Sequence, residues 1–163
     1  MSASMWRVLA IAALAAGLLG VLPRGSVLAQ AAREAPIGLP RVQEYRAIPK
    51  LRDIYFDFGR AVIRPADARV LDANAMWLRA NPDQLLLIEG HCDSQGLTTS
   101  KNELNMALGE QRAQAAMDYL VAQGVQRDRI TVLSYGEERP RCPEQSERCW
   151  SQNRRSRFLV KPR

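Results

Sequence analysis

Apolar and polar positions along the chain follow two periods, and the switches between them mark the elements. Ile54-Tyr55-Phe56-Asp57-Phe58 has strand composition and stops at Gly59, which predicts a first strand. Arg64-Pro65-Ala66-Asp67 then reads as a helix entry, with proline in the first turn and an acid near the positive end of the dipole. Ala68, Leu71, Ala75 and Leu78 line one face of that helix, and Asn81-Pro82 ends it because the proline ring forbids continuation. Leu85-Leu86-Leu87-Ile88 is an unbroken apolar run, the pattern of a central strand buried on both faces. A polar loop from Ser94 to Lys101 follows. From about Asn105 to Gln123 the helical period returns, with Ala113, Ala116, Met117, Leu120 and Val121 on one stripe and Gly124 as the cap. Arg112 precedes that stripe, near the expected helix start. Ile130 to Tyr135 predicts a third strand, Trp150 to Asn153 a short helical turn, and Phe158-Leu159-Val160 a fourth strand. The resulting order is βαβαββ, an α/β sandwich with a mixed sheet and its helices on one face. Such a layer leaves the opposite sheet face and the loops at one edge for function.

The chain ahead of these elements has a different character. Met1 to Arg7 is a short basic start, Val8 to Leu22 is wholly apolar, and Ala29-Gln30-Ala31 offers the small-x-small pattern of a signal-peptidase site. The run is shorter than the roughly 20 residues of a spanning helix and has no polar face. Residues 1–31 are therefore expected to be a signal peptide, and membrane association is expected only if that segment stays uncleaved. Residues 32–50 show no apolar period, and Pro36, Pro40 and Pro49 interrupt them, which predicts a flexible tether. Order is expected to begin at Asp53, within a domain spanning 51–163.

Charge changes this picture little. Lys and Arg number 23 against 17 Asp and Glu, a formal net charge of +6. Removing residues 1–31 takes away Arg7 and Arg24 and no acid, leaving a modest positive balance that attracts acidic polymers without identifying one. Arg154, Arg155 and Arg157 form the one dense basic cluster, with a single aromatic, Phe158, beside it, so no nucleic-acid partner is expected. Three cysteines behind an export signal imply an oxidising compartment. Cys142 and Cys149 enclose a short polar loop, and a disulfide between them is expected. Cys92 is left over and, alternating with its neighbours, points to the face opposite His91 and Asp93 as a small buried hydrophobe.

The chemistry concentrates between Glu89 and Arg112. A strand-like run ends in Gly90-His91-Cys92-Asp93, and Arg112 follows on the next helix. Carboxylate and guanidinium held together in a wet cleft suit a zwitterion; the same pair is also what a plain surface salt bridge looks like, worth about 0–1 kcal/mol. Adjacent strand residues diverge, so Cys92 does not reach His91 for activation, and the reading is of a binding module with no enzymatic activity. With one histidine and with Cys142 and Cys149 too far apart for a Cys-x-x-Cys clip, no cofactor or metal is expected.

Five stretches, taken together, resemble a known family. They are Ile54 to Phe58, Ile88 to Asp93, Asn105 to Ala113, Ile130 to Pro140, and Asn153-Arg154-Arg155. The chain from about residue 50 to its end resembles the carboxy-terminal peptidoglycan-binding domain of outer-membrane protein A, and within it most closely the peptidoglycan-associated lipoproteins. The resemblance implies non-covalent binding of peptidoglycan in the periplasm, at the cell wall or outer membrane. It assigns Asp93 to the ammonium and Arg112 to the carboxylate of the diaminopimelate in the stem peptide. It also implies roles for the backbone of Ser94 to Gly96 and for Asn105. Asp57 is either a strand-end cap or a second acid near the ligand. His91 is expected as a structural hydrogen-bonding group, and Arg154 and Arg155 either as a solvated face or as braces of the binding loop. Two departures from the lipoproteins stand out: a longer loop after Asp93, and no cysteine near the cleavage zone to carry a lipid. The lipoproteins also imply a second class of function, contact with envelope partners of the Tol system, while a cell-wall hydrolase is the weakest alternative.

Overall fold

The structure, a computed structural model, describes residues 42–95 and 101–163; the expected signal peptide, the first part of the expected tether and Gly96 lie outside them. Strand β1 is Ile54–Tyr55, helix α1 Pro65–Ala80, strand β2 Gln84–His91, helix α2 Lys101–Ala122, strand β3 Ile130–Gly136, helix α3 Glu147–Asn153 and strand β4 Arg155–Pro162. The four strands form one sheet in the order β1-β4-β2-β3. β2 runs parallel to β3 and antiparallel to β4, with Leu87 opposite Leu159 and Glu89 opposite Arg157. This is the expected mixed sheet, with the Leu85 to Ile88 run in a central strand.

Period-two alternation sorts the two faces. Leu86, Ile88, Phe158 and Val160 point to the side covered by α1 and α2, where they pack with Leu71, Leu78, Ala113, Ala116 and Leu120 into the main core. α1 starts with Pro65 in its first turn, as the Arg64-Pro65 signal predicts. α2 ends in a Schellman motif: Gly124, at φ +88°, donates to Val121 O, and Val125 donates to Leu120 O.

Three expectations about the elements are corrected. β1 pairs over two residues only: Phe56 N still donates to Arg154 O at 2.9 Å, and the chain then enters a turn that Arg60 N closes on Asp57 O, while Asp67 of α1 takes the Tyr55 amide at 2.8 Å. α2 begins at Lys101 rather than near Asn105, so Arg112 lies at mid-helix and not at its start. Order begins well ahead of Asp53: Val42–Glu44 form a 3₁₀ turn, Tyr45 is buried, and Arg46 exchanges two backbone hydrogen bonds with Val160. Arg46 thus continues the edge of β4 past the end of the short β1. Tyr45 joins Leu87 and Leu159 in a small second cluster on the helix-free face, with Val42, Leu85 and Leu133 packed around it.

Candidate functional site

The site grows from one close backbone approach. Gly90 of β2 faces Gly109 of α2, and a Cβ at Gly90 would lie 1.8 Å from the Gly109 carbonyl oxygen. Only two glycines let helix and strand meet this closely. That contact brings Arg112, one turn further along α2, over the strand end.

Arg112 is fully buried, 1% exposed, which overturns the expectation of a solvent-facing guanidinium. Nε donates to Arg60 O at 2.9 Å, Nη1 to His91 O at 2.8 Å and Nη2 to Asp57 O at 3.2 Å. The guanidinium also lies against the Phe56 ring, 5.3 Å from its centroid. One side chain therefore ties α2 to the end of β2 and to the loop after β1. Burial pushes its pKa down, while Cys92 and Asp93 beside it pull the other way.

Asp93 is likewise buried, and its direct ionic partner is Arg154 rather than Arg112. Arg154 Nη1 reaches Asp93 Oδ2 at 2.9 Å, and its Nε donates to Phe56 O at 3.1 Å. The second nitrogen, Nη2, pairs with Glu147 of α3. Burial lowers the Arg154 pKa, but hydrogen bonds and charge from Glu147 and Asp93 outweigh it and the net shift is upward. Asp93 lies past the last paired residue of β2, where strand alternation no longer places it with His91, and its charge acts on Arg112 and Cys92 instead.

The remaining expected residues fall on three sides. Ser94 Oγ donates to Gln145 Oε1 at 3.1 Å and Gln95 Nε2 to Glu147 Oε2 at 3.2 Å, so the start of the loop after Asp93 leans on the segment around α3. The Cys142–Cys149 disulfide closes that segment as expected, and Asn153 fixes its start by accepting from the amides of Arg141 and Cys142. Asn105 accepts the Cys92 thiol on its carbonyl at 3.1 Å, while its enclosed side-chain Nδ2 has no hydrogen-bond partner. The Asp57 side chain is exposed and 3.8 Å from Arg64, whereas its carbonyl holds Arg112. His91 and Arg155 are not part of this group: both line a cleft on the helix-free face with Glu89 and Asp53. Cys92, between Arg112 and Asn105, is buried as expected, and burial pushes its thiol up to about 11.

Sequence reasoning left Arg154 between a solvated face and a brace and missed Glu147 and Gln145, because contacts between residues 51 to 61 apart leave no local spacing to read. It also missed Arg129, which is buried and donates to Gln84 O, Leu78 O and Asn81 O.

Fold, sheet order and this cluster of buried ions define a class that the comparisons identify. Residues 55–155 match the OmpA family, and the chain belongs to it. A peptidoglycan-associated lipoprotein of Brucella melitensis is 41% identical over 103 residues, which is 63% of this chain and 59% of that relative. One from Pseudomonas putida is 40% identical over 114 residues, 70% of this chain and 66% of that protein. The chain thus matches about three fifths of the first relative's length. Among solved structures, the peptidoglycan-associated lipoprotein from Burkholderia pseudomallei superposes with a TM-score of 0.63 at 32% identity, over 68% of this chain and 90% of that one. The C-terminal domain of Helicobacter pylori MotB shares the fold, with a TM-score of 0.62 at 20% identity, over 69% of this chain and 85% of that one.

Proposed function

We propose that this chain binds peptidoglycan non-covalently in the periplasm, at the cell wall or outer membrane, and that its ligand is the zwitterionic end of diaminopimelate in the stem peptide. The observation that carries this reading is the buried Asp93 carboxylate, fixed by Arg154, with the Arg112 guanidinium close enough for the two charges to act on each other. Arg112 carries five N–H donors and gives three to backbone carbonyls. The other two N–H groups, one on each terminal nitrogen, lie beside Cys92 and Asp93, and a carboxylate entering there would take them as a fork in place of the Cys92 sulfur. Asp93 then accepts the ammonium, and Arg154 is a positioning residue that holds the acid in place. Asn105 Nδ2 is a further unspent donor at the same helix face. The likeness to proteins named for association with peptidoglycan supports the assignment.

Catalysis has no support in this arrangement. The Cys92 thiol is buried, hydrogen-bonded to a carbonyl and pushed up to about 11, which keeps it protonated at neutral pH. Incubation with purified sacculi is expected to release no muropeptides.

Because Arg112 holds three carbonyls, truncating it also damages the fold, so the decisive variant is Asp93→Asn. It preserves shape and an acceptor for Arg154 but removes the charge that an ammonium requires. The variant is expected to lose sedimentation with sacculi while melting as a folded protein. If Asp93→Asn sediments like the parent, the diaminopimelate assignment is wrong.

A second reading, contact with a Tol-system envelope partner through the same surface, is favoured by exposed apolar side chains beside the site. Phe58 and Val62 flank the carbonyls that hold Arg112, and Leu104 precedes Asn105; they are 60%, 68% and 64% exposed. A partner docking there would compete with sacculi, and a Phe58→Ser, Leu104→Ser double variant would weaken the partner contact while keeping wall binding.

A further inference from the structure

The helix-free face of the sheet is divided along its length. At one end Leu85, Leu87 and Leu159 lie under Tyr45. At the other, the same alternation turns Glu89 and His91 of β2 and Arg155 and Arg157 of β4 into a cleft of about 490 Å³, which Arg139, Arg141 and Asp53 complete. Asp93, Arg112 and Arg154 do not line it.

Four guanidinium groups meet two carboxylates there. Some of that charge is internally paired: Arg157 Nη1 lies 3.8 Å from Glu89 Oε2, and Arg141 Nη1 lies 3.5 Å from Asp53 Oδ2 and 2.9 Å from the Tyr55 hydroxyl. Arg139 stacks on the Tyr135 ring at 3.7 Å and receives Arg155 Nη2 on its carbonyl at 3.3 Å. In the floor, Arg155 also feels the charges of Asp53 and Glu89, and what its guanidinium lacks is a hydrogen-bond acceptor. Arg155 is 5% exposed and its Nη1 is enclosed with no hydrogen-bond partner. His91 is 1% exposed and neither ring nitrogen has a hydrogen-bond partner; Nε2 lies 3.6 Å from Glu89 Oε2, beyond hydrogen-bond reach. Enclosed donors without acceptors are costly, and Arg155 Nη1, together with a His91 ring whose nitrogens meet only the Glu89 carboxylate at a long 3.6 Å, calls for an acceptor with several oxygens.

We infer that this cleft is an oxyanion site, separate from the Asp93 site, that takes a phosphate monoester or inorganic phosphate against Arg155, Arg157 and His91. Phosphate fits for two reasons. It carries about −1.5 to −2 charge at pH 7 and several strong acceptor oxygens, which matches a lining with two more cations than carboxylates. Its oxygens also satisfy a guanidinium and a neutral imidazole N–H together, where one carboxylate has fewer acceptors to offer. Arg157, with its side chain 42% exposed, forms the rim and meets the anion first.

His91 is the chain's single histidine, so its ring resonances report on the cleft alone. The ¹⁵N-labelled full chain is titrated with inorganic phosphate at constant ionic strength, and a parallel arm measures cosedimentation with phosphatidic acid vesicles against phosphatidylcholine vesicles. A saturable shift of the His91 ring protons is expected, weakened roughly tenfold or more by Arg157→Gln, the loss of one charge-assisted contact. Asp93→Asn leaves the titration unchanged. Arg155→Gln is expected to abolish it; should that variant fail to fold, Arg157→Gln decides alone. Binding to phosphatidic acid vesicles that Arg157→Gln weakens, without a response to free phosphate, identifies a lipid headgroup as the source. No saturation in either arm, or saturation that Arg157→Gln leaves intact, overturns the site.

Discussion

At the scale of single residues, the buried ionisable groups set behaviours that a change of pH or a thiol reagent exposes. His91 sits under the cleft floor, and burial lowers its pKa from the ordinary value of 6.5, with Glu89 only partly restoring it. A lowered folded-state pKa means that the unfolded chain binds the proton first. The stability His91 contributes is therefore complete above pH 6.5 and declines as the pH falls below that value, until the folded form also protonates. In phosphate-free buffer, the melting temperature of the parent is expected to fall more steeply between pH 7.5 and 5.5 than that of His91→Gln. Equal slopes would mean that His91 does not titrate between the two states. Cys92 gives a complementary readout. Its thiol is 2% exposed and held at about 11, so iodoacetamide at pH 8 is expected to leave the native protein unmodified and to alkylate it in 6 M guanidinium. Rapid native-state labelling would mean that the strand end and α2 separate readily.

At the scale of elements, the contact between Gly90 and Gly109 decides where α2 lies. A Cβ at Gly90 meets backbone at 1.8 Å, and neither strand nor helix has a flexible atom there to yield. A Cβ at Gly109 meets Ser134 Oγ at 2.3 Å and Gly90 O at 3.0 Å, and the gain in helix propensity, about 1 kcal/mol, offsets part of the crowding. Gly90→Ala is expected to cost about 1–3 kcal/mol or more in urea unfolding, well above Gly109→Ala, and to weaken sacculus retention by moving Arg112 off the His91 carbonyl. Comparable losses in the two variants would show that the close approach relaxes freely. Elements with strong local signals were legible in the sequence: the Leu85 to Ile88 run, the Pro65 entry and the Gly124 cap all act within a few residues. β1 was overextended because Phe56 and Phe58 have strand composition, while the chain there already enters the turn that Arg60 N closes on Asp57 O. The α2 start was set too late because the polar turn Lys101 to Leu104 carries no apolar stripe. Arg112 is a buried strut rather than a surface fork because the Gly90–Gly109 approach sets it over the strand end. In the site, Asp93 and Arg112 were read as a charge pair and Arg154 as a solvated face or a brace, but the direct pairing of Asp93 with Arg154 joins residues far apart in the chain that only the fold brings together.

At the scale of the whole molecule, two kinds of attraction to a polymer must be told apart. A formal charge of +6 draws the chain toward any acidic surface, and that attraction falls away once salt shortens the Debye length to a few ångströms. The Asp93 and Arg154 side chains are each 7% exposed, and a ligand group enclosed beside such a pair is screened far less. Retention on sacculi also gains from the many stem peptides a polymer presents, since a released chain meets another site before it escapes. The parent is therefore expected to remain with sacculi at 0.5 M NaCl, whereas the residual sedimentation of Asp93→Asn at low salt disappears as salt rises. Charge alone predicts the opposite pattern, with parent and variant eluting together over one salt range. Sedimentation of both proteins across that range separates a built zwitterion site from a cationic surface, and coincident loss would leave only the surface.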